Sequence, residues 1–215
     1  MNPLSSSRLI NNRPTKHWRQ RYKSALSLSL ISLLVSCQLT ACSPNQEVVP
    51  LPESAIEIDD SVNLYQVDNL LFRSEQLGLA DIPLLIDNDI DAIINLRYFN
   101  QTANDELLDK IVEDTSVTLY NQPLKAWNVT PQEIAQVLSQ IKALQDQNKR
   151  VLVHCYHGAD RTGLIVAMYR IIEQGWSIED AKQEMTAGGY GYHPIWINLE
   201  KMLDPITLNA VREQL

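Results

Sequence analysis

Apolar positions along this chain repeat with two periods, and the order in which they alternate sets the expected architecture. In TPQEIAQVLSQIKALQ, residues 130–145, Ile134, Val137, Leu138, Ile141 and Leu144 fall on one helical face. Thr130 can cap that helix, Pro131 suits its first position and Glu133 completes a capping box. NDELLDKIVED (104–114) and SIEDAKQEM (177–185) carry the same helical period, and Ala80 to Ile86 is helix-like. TGLIVAMYRIIEQG (162–175) is apolar on nearly every side and is closed by Gly175. Between these lie short runs of strand character: NLYQV and LLFRS, separated by the turn-prone pair Asp68-Asn69, then DAIINLR, SVTLY and RVLVH. RVLVH and DAIINLR are almost continuously apolar, as buried central strands are.

Strands alternating with helices predict an α/β domain, a central sheet covered by helices. The stretch VLVHCYHGADRTG (151–163) then sits at the carboxyl end of a central strand and at the start of a helix, the edge where open α/β sheets bind ligands.

Charge divides the chain. The 215 residues carry 18 basic and 26 acidic side chains, net −8. Residues 1–42 hold six of the basic residues and no acid, which leaves the remainder at −14. So acidic a body repels nucleic-acid backbones, and no nucleic-acid partner is expected. The apolar run Ser24 to Ser36 is shorter than the roughly 20 residues that span a bilayer. After the basic stretch it reads as an export signal. Its end resembles a bacterial lipoprotein signal, with LVSC ending at Cys37 and LTAC at Cys42. Cys42 is the expected lipidation site, because polar SPNQ follows it, and an uncleaved anchor is the alternative. Either places an exported, membrane-anchored domain facing the periplasm or cell exterior. Residues 43–58 read as a flexible tether and residues 59–215 as the domain. With two of three cysteines in signal boxes, Cys155 is left as a free thiol.

A thiol at a helix N-terminus lies among unpaired backbone N–H groups at the positive end of the helix dipole, which favours thiolate. The same N–H groups, from Tyr156, His157, Gly158 and Ala159 onward, can cradle a dianion. Arg161 adds a planar donor for two phosphate oxygens. Gly158 and Gly163 give the loop freedom to turn and to enter the helix closely.

HCYHGADRTG resembles the signature of the cysteine-based protein tyrosine phosphatases: His154 and Cys155, five residues, then Arg161 and Thr162. LFRSEQ followed by DAIINLR is similar to the upstream pattern of the small dual-specificity-type bacterial and fungal members. The resemblance implies a mixed central sheet flanked by helices on both faces. It also implies a phosphomonoesterase with no metal and no cofactor, acting on a phosphorylated protein, lipid or small molecule. Cys155 would be the nucleophile, Arg161 and the loop amides the oxyanion binders, and Thr162 the group that helps the thiolate leave. His154 and Gly163 would support the loop.

NQPLKAWNVTPQ (121–132), where most relatives carry the general acid, has none. Asp160 is the expected substitute, with Asp105, Asp109 and Asp114 behind it. His157 is expected at the substrate. Arg73 is read as a phosphate ligand or a structural ion-pair partner, and Arg97 as structural. Tyr190, Tyr192 and Trp196 are read as packing between helices, with a cleft wall as the alternative. His193 shows no metal-ligand spacing. A non-catalytic phosphate-binding module and a rhodanese-like sulfurtransferase are the competing functions.

Overall fold

The computed structural model of the protein describes residues 53–99 and 101–215, without the side chains of residues 101–105. The export signal, Cys37 and Cys42 lie outside the described residues, as does the side chain of Asp105.

Six strands form one mixed sheet in the order β1-β2-β3-β6-β4-β5. β1 (Ile56–Asp59), β2 (Leu64–Gln66) and β3 (Leu71–Ser74) run antiparallel, while β3, β6 (Val151–His154), β4 (Ala92–Asn95) and β5 (Thr118–Asn121) are parallel. The β2–β3 turn is the expected one: Asp68 Oδ1 accepts from the N–H groups of Leu70 and Leu71.

The strand period of two sorts side chains between two cores. Phe72, Ile93 and Leu152 face α1 (Ile82–Asp87) and α2 (Gln101–Asp114), packing with Leu85, Leu108 and Ile111. Leu71, Ala92, Ile94, Val151 and Val153 face the larger layer. That layer holds α3 (Pro131–Gln145), α4 (Asp160–Ile172), α5 (Ile178–Ala187), α6 (Ile197–Glu200) and α7 (Pro205–Arg212). Each Val, Leu or Ile side chain so buried contributes about 1.5–3 kcal/mol. α4 is buried on nearly all sides, as its even apolar distribution requires. It is fixed to α5 by a buried ion pair, in which Arg170 donates through Nε and Nη2 to Glu184 at 2.9 and 2.8 Å.

The ordered body starts earlier than Asp59. Ala55 N–H donates to Glu184 Oε1 and β1 begins at Ile56, so the end of the expected tether is an edge strand. An edge strand has one free flank, and IEID alternates apolar with acidic residues over only four positions, too short a run to stand out beside the proline- and acid-rich stretch before it.

Register brings the carboxyl ends of three strands level. Ser74 of β3 and Asn95 of β4 both stand opposite His154 of β6. The loop that starts at Cys155 therefore emerges between two neighbouring strand ends and runs straight into α4.

Candidate active site

The loop from Cys155 to Arg161 is tied down by its carbonyls. His154 Nδ1 lies 3.0 Å from the carbonyl of Cys155. Burial pushes the His154 imidazole down to about 4, so the ring is neutral near pH neutrality and Nδ1 carries the proton that this carbonyl accepts. Gln76 N–H donates to the Tyr156 carbonyl at 3.1 Å, Asn63 Nδ2 to that of His157 at 2.8 Å, and Arg73 Nη2 to that of Gly158 at 2.7 Å. A trans peptide sets each carbonyl opposite the next N–H. With four successive carbonyls held by these partners, the N–H groups of residues 156–159 turn to the other side of the loop. α4 opens without a side-chain cap at Ala159, which adds its first free N–H groups to the same place.

Gly158 makes this path possible. Its φ is +69°, and a Cβ would stand 2.4 Å from the Ser74 carbonyl oxygen. Gly163 is needed for a milder reason: a Cβ there would meet Met185 Cγ at 3.1 Å.

Cys155 is buried and free, at the base of the loop. Beside it a cavity of about 310 Å³ opens to solvent, lined by Arg97, Phe99, Ala126, Tyr156, His157, Asp160, Arg161 and Trp196. Arg161 Nη1 donates to the Leu96 carbonyl at 3.3 Å, which steadies the guanidinium at the cavity. A larger hollow of about 830 Å³ against α3 is lined chiefly by amide and small side chains such as Gln132, Gln136 and Gln140, and has no cysteine, histidine or arginine in its wall. The chemistry-bearing residues converge on the smaller one.

Asp160 is buried and paired. Its Oδ1 accepts from His193 N–H at 2.9 Å, and its Oδ2 lies 3.0 Å from His193 Nδ1. Two bare acceptors would repel at that distance, so this contact holds a proton on one side or the other. Asp109 and Asp114 are exposed on α2 and do not line the cavity. Thr162 is fully buried, and its Oγ1 has no hydrogen-bond partner among the described residues.

Arg73 departs from the phosphate-ligand expectation. It is fully buried beneath the loop, with its guanidinium 3.7 Å from the centre of the Tyr190 ring and its Nη2 on the Gly158 carbonyl. Its β3 position points it into the protein interior, where burial lowers its pKa. Tyr190 is core, as expected, whereas Trp196 walls the cavity.

Arg97 and His193 were not singled out as site residues by sequence reasoning. Arg97 follows β4, lines the cavity with Arg161 and lies 4.9 Å from the Tyr156 ring. Burial above all lowers its pKa; Arg161 pushes the same way, and Tyr156 and Cys155 oppose it. The apolar strand ending in arginine was the available signal for Arg97. His193 arrives from a segment more than thirty residues away with no local motif.

A dual specificity protein phosphatase of Pseudomonas aeruginosa, TpbA, is 33% identical over 140 residues, which are 65% of this chain and 61% of that protein. The chain thus matches under two thirds of that relative's length. The crystal structure of TpbA in a cysteine-to-serine form with phosphotyrosine aligns at a TM-score of 0.66 and 27% identity, covering 76% of this chain and 96% of that one. The catalytic core of the PP-IP phosphatase SIW14 from S. cerevisiae, 19% identical over 71% of this chain and 91% of its own, shares the fold at a TM-score of 0.54. The dual specificity phosphatase catalytic domain matches residues 72–187, more than half of the sequence, and the chain belongs to that family.

Proposed function

We propose that the protein hydrolyses phosphomonoesters through a phosphocysteine intermediate. The observation that carries this is the loop itself: Cys155 is buried and free, the carbonyls of residues 155–158 are each held by a partner, and Arg161 lines the adjoining cavity. The Cys155 thiolate attacks phosphorus, the bond from phosphorus to the ester oxygen breaks, and the leaving oxygen takes a proton. Loop N–H groups and Arg161 hold the three equatorial oxygens as charge builds on them. Water then attacks phosphorus and displaces the thiolate. Thr162 supports the departing sulfur, as the family resemblance implies, with a buried hydroxyl that has no hydrogen-bond partner among the described residues before the reaction.

The proton comes from the Asp160–His193 contact, whose shared hydrogen lies beside the cavity. Asp160 is the nearer donor, and His193 holds and resupplies it. Phe99, Tyr156 and Trp196 line the opening with aromatic surface, which suits an aryl phosphate such as phosphotyrosine and favours it over a strongly hydrated sugar phosphate. Phosphotyrosine bound to TpbA supports this reading. The lipoprotein-like N-terminus supports an anchor at Cys42 and a domain facing the periplasm or cell exterior, where phosphorylated proteins or lipid headgroups meet the site.

The test is phosphate release from an aryl and an alkyl phosphate with chelator present. Cys155→Ser should release none, and Asp160→Ala should fail on the alkyl ester while keeping much of the aryl rate. If the unsubstituted protein binds vanadate at the loop yet releases no phosphate, it is a binding module and not an enzyme.

A further inference from the structure

Asp160 has a second neighbour of chemical interest. His157, His193 and Asp160 each offer one donor atom, and those atoms lie within 4.8 Å of one another. The two imidazole rings are 5.0 Å apart, centre to centre. We infer that these three side chains form a binding site for a divalent transition cation of the zinc class at the rim of the catalytic cavity.

The donor set selects the ion. Two imidazoles and one carboxylate, with a position left open, suit zinc, whereas magnesium and calcium require oxygen ligands throughout. Bonds of about 2.0–2.2 Å in a tetrahedron separate neighbouring donors by about 3.4 Å. The His193 Nδ1 to Asp160 Oδ2 distance is 3.0 Å, near that spacing. His157 is exposed, so its ring has room to close the remaining gap of about 1.4 Å.

The scaffold holds the donors in register. Asn63 Nδ2 donates both to the His157 carbonyl at 2.8 Å and to the Tyr190 carbonyl at 3.0 Å, joining the segment of His157 to the one that leads to His193. His193 N–H on Asp160 Oδ1 closes the third side. These backbone ties fix the donors' attachment points without using the ring nitrogens of His157.

A cation seated there displaces the proton shared by Asp160 and His193 without taking Cys155 as a ligand. Resting on the proposed function, occupancy therefore arrests esters with poor leaving groups more than activated aryl esters.

Binding is tested apart from catalysis. The chain of residues 1–215 carrying Cys37→Ser, Cys42→Ser and Cys155→Ser, which removes every thiol, is titrated with zinc chloride by calorimetry. One equivalent should bind, magnesium should not replace it, and His193→Ala, Asp160→Asn and His157→Ala should each weaken zinc by roughly tenfold or more. Thermal melts without zinc establish that each variant is folded. Should His193→Ala or Asp160→Asn unfold, exposed His157 supplies the deciding variant. Absence of stoichiometric zinc, or undiminished affinity in the folded variants, overturns the site. Phosphate release by the unsubstituted chain in chelator is read separately, so either conclusion can fall alone.

Discussion

Replacing Gly158 by alanine puts a single methyl group where the catalytic loop crosses the end of β3. The consequence can be worked from the backbone. At φ +69° an L-residue occupies the left-handed region, which costs about 1–2 kcal/mol. The new Cβ would also lie 2.4 Å from the Ser74 oxygen, 2.5 Å from its carbonyl carbon and 2.6 Å from Glu75 nitrogen, all backbone atoms that cannot rotate away. Relieving that overlap is an overpacking problem worth about 1–3 kcal/mol, for a total destabilisation of about 2–5 kcal/mol. The loop must move by about 1 Å to restore ordinary contact, and a displacement of that size costs about a hundredfold in rate when it misplaces reacting groups. The Arg73 bond to the Gly158 carbonyl lies on the same peptide and would be lost with it. Urea denaturation gives the stability change, and phosphate release from an aryl ester gives the rate. A Gly158→Ala protein with unchanged unfolding midpoint and unchanged rate would show that the loop is not wedged against β3 as described.

Three further outcomes follow from groups around the loop. His154 has a folded value of about 4 against 6.5 when unfolded, so below 6.5 the unfolded chain binds a proton that the folded chain refuses. This contribution is intact at neutral pH and about 3 kcal/mol of it is lost as pH falls to about 4; a stability difference between wild type and His154→Asn that stayed constant over that range would refute the assignment. Glu184→Ala strands the buried Arg170 and should cost about 3–5 kcal/mol by urea melts, whereas Arg170→Met with Glu184→Met should recover most of it. A single substitution as well tolerated as the pair would contradict the buried pairing. Arg161→Lys keeps the charge but loses the planar two-point contact, and should lower the aryl phosphate rate by about 10²–10³-fold with the fold unchanged; near-native turnover would remove Arg161 from the transition state.

What could be read from the sequence was whatever a short stretch decides for itself. The α3 capping box is local, and Thr130 Oγ1 accepts from Glu133 N–H while Glu133 Oε2 accepts from Thr130 N–H, as the residue types require. The cysteine loop is local too: its glycine, its arginine and its junction with α4 lie within nine residues. β1 was missed because its alternation, Ile56, Glu57, Ile58, Asp59, lasts only four residues and directly follows a proline- and acid-rich stretch. His193 was missed because its partner is Asp160, and only the chain fold brings them together. Arg73 was ambiguous in principle, since the same guanidinium that binds phosphate also satisfies a buried carbonyl, and sequence does not say which side of the loop it approaches.

That ambiguity points to how the site is divided. The groups proposed for chemistry come from the loop, α4 and, for His193, the segment after α5, but the groups that bind the loop's carbonyls come largely from around the antiparallel strands. Asn63 precedes β2, Arg73 is in β3 and Gln76 follows it, and they reach His157, Gly158 and Tyr156 respectively. A carbonyl left free would let its peptide rotate and turn the next N–H away from the phosphate. The strands from β1 to β3 therefore act as a brace that sets the direction of the oxyanion donors without touching substrate. Changes in this brace at Arg73, which holds the loop through the Gly158 carbonyl alone, should lower the rate through loop geometry, while the pattern of leaving-group dependence, which belongs to Asp160 and His193, stays as in the unsubstituted protein.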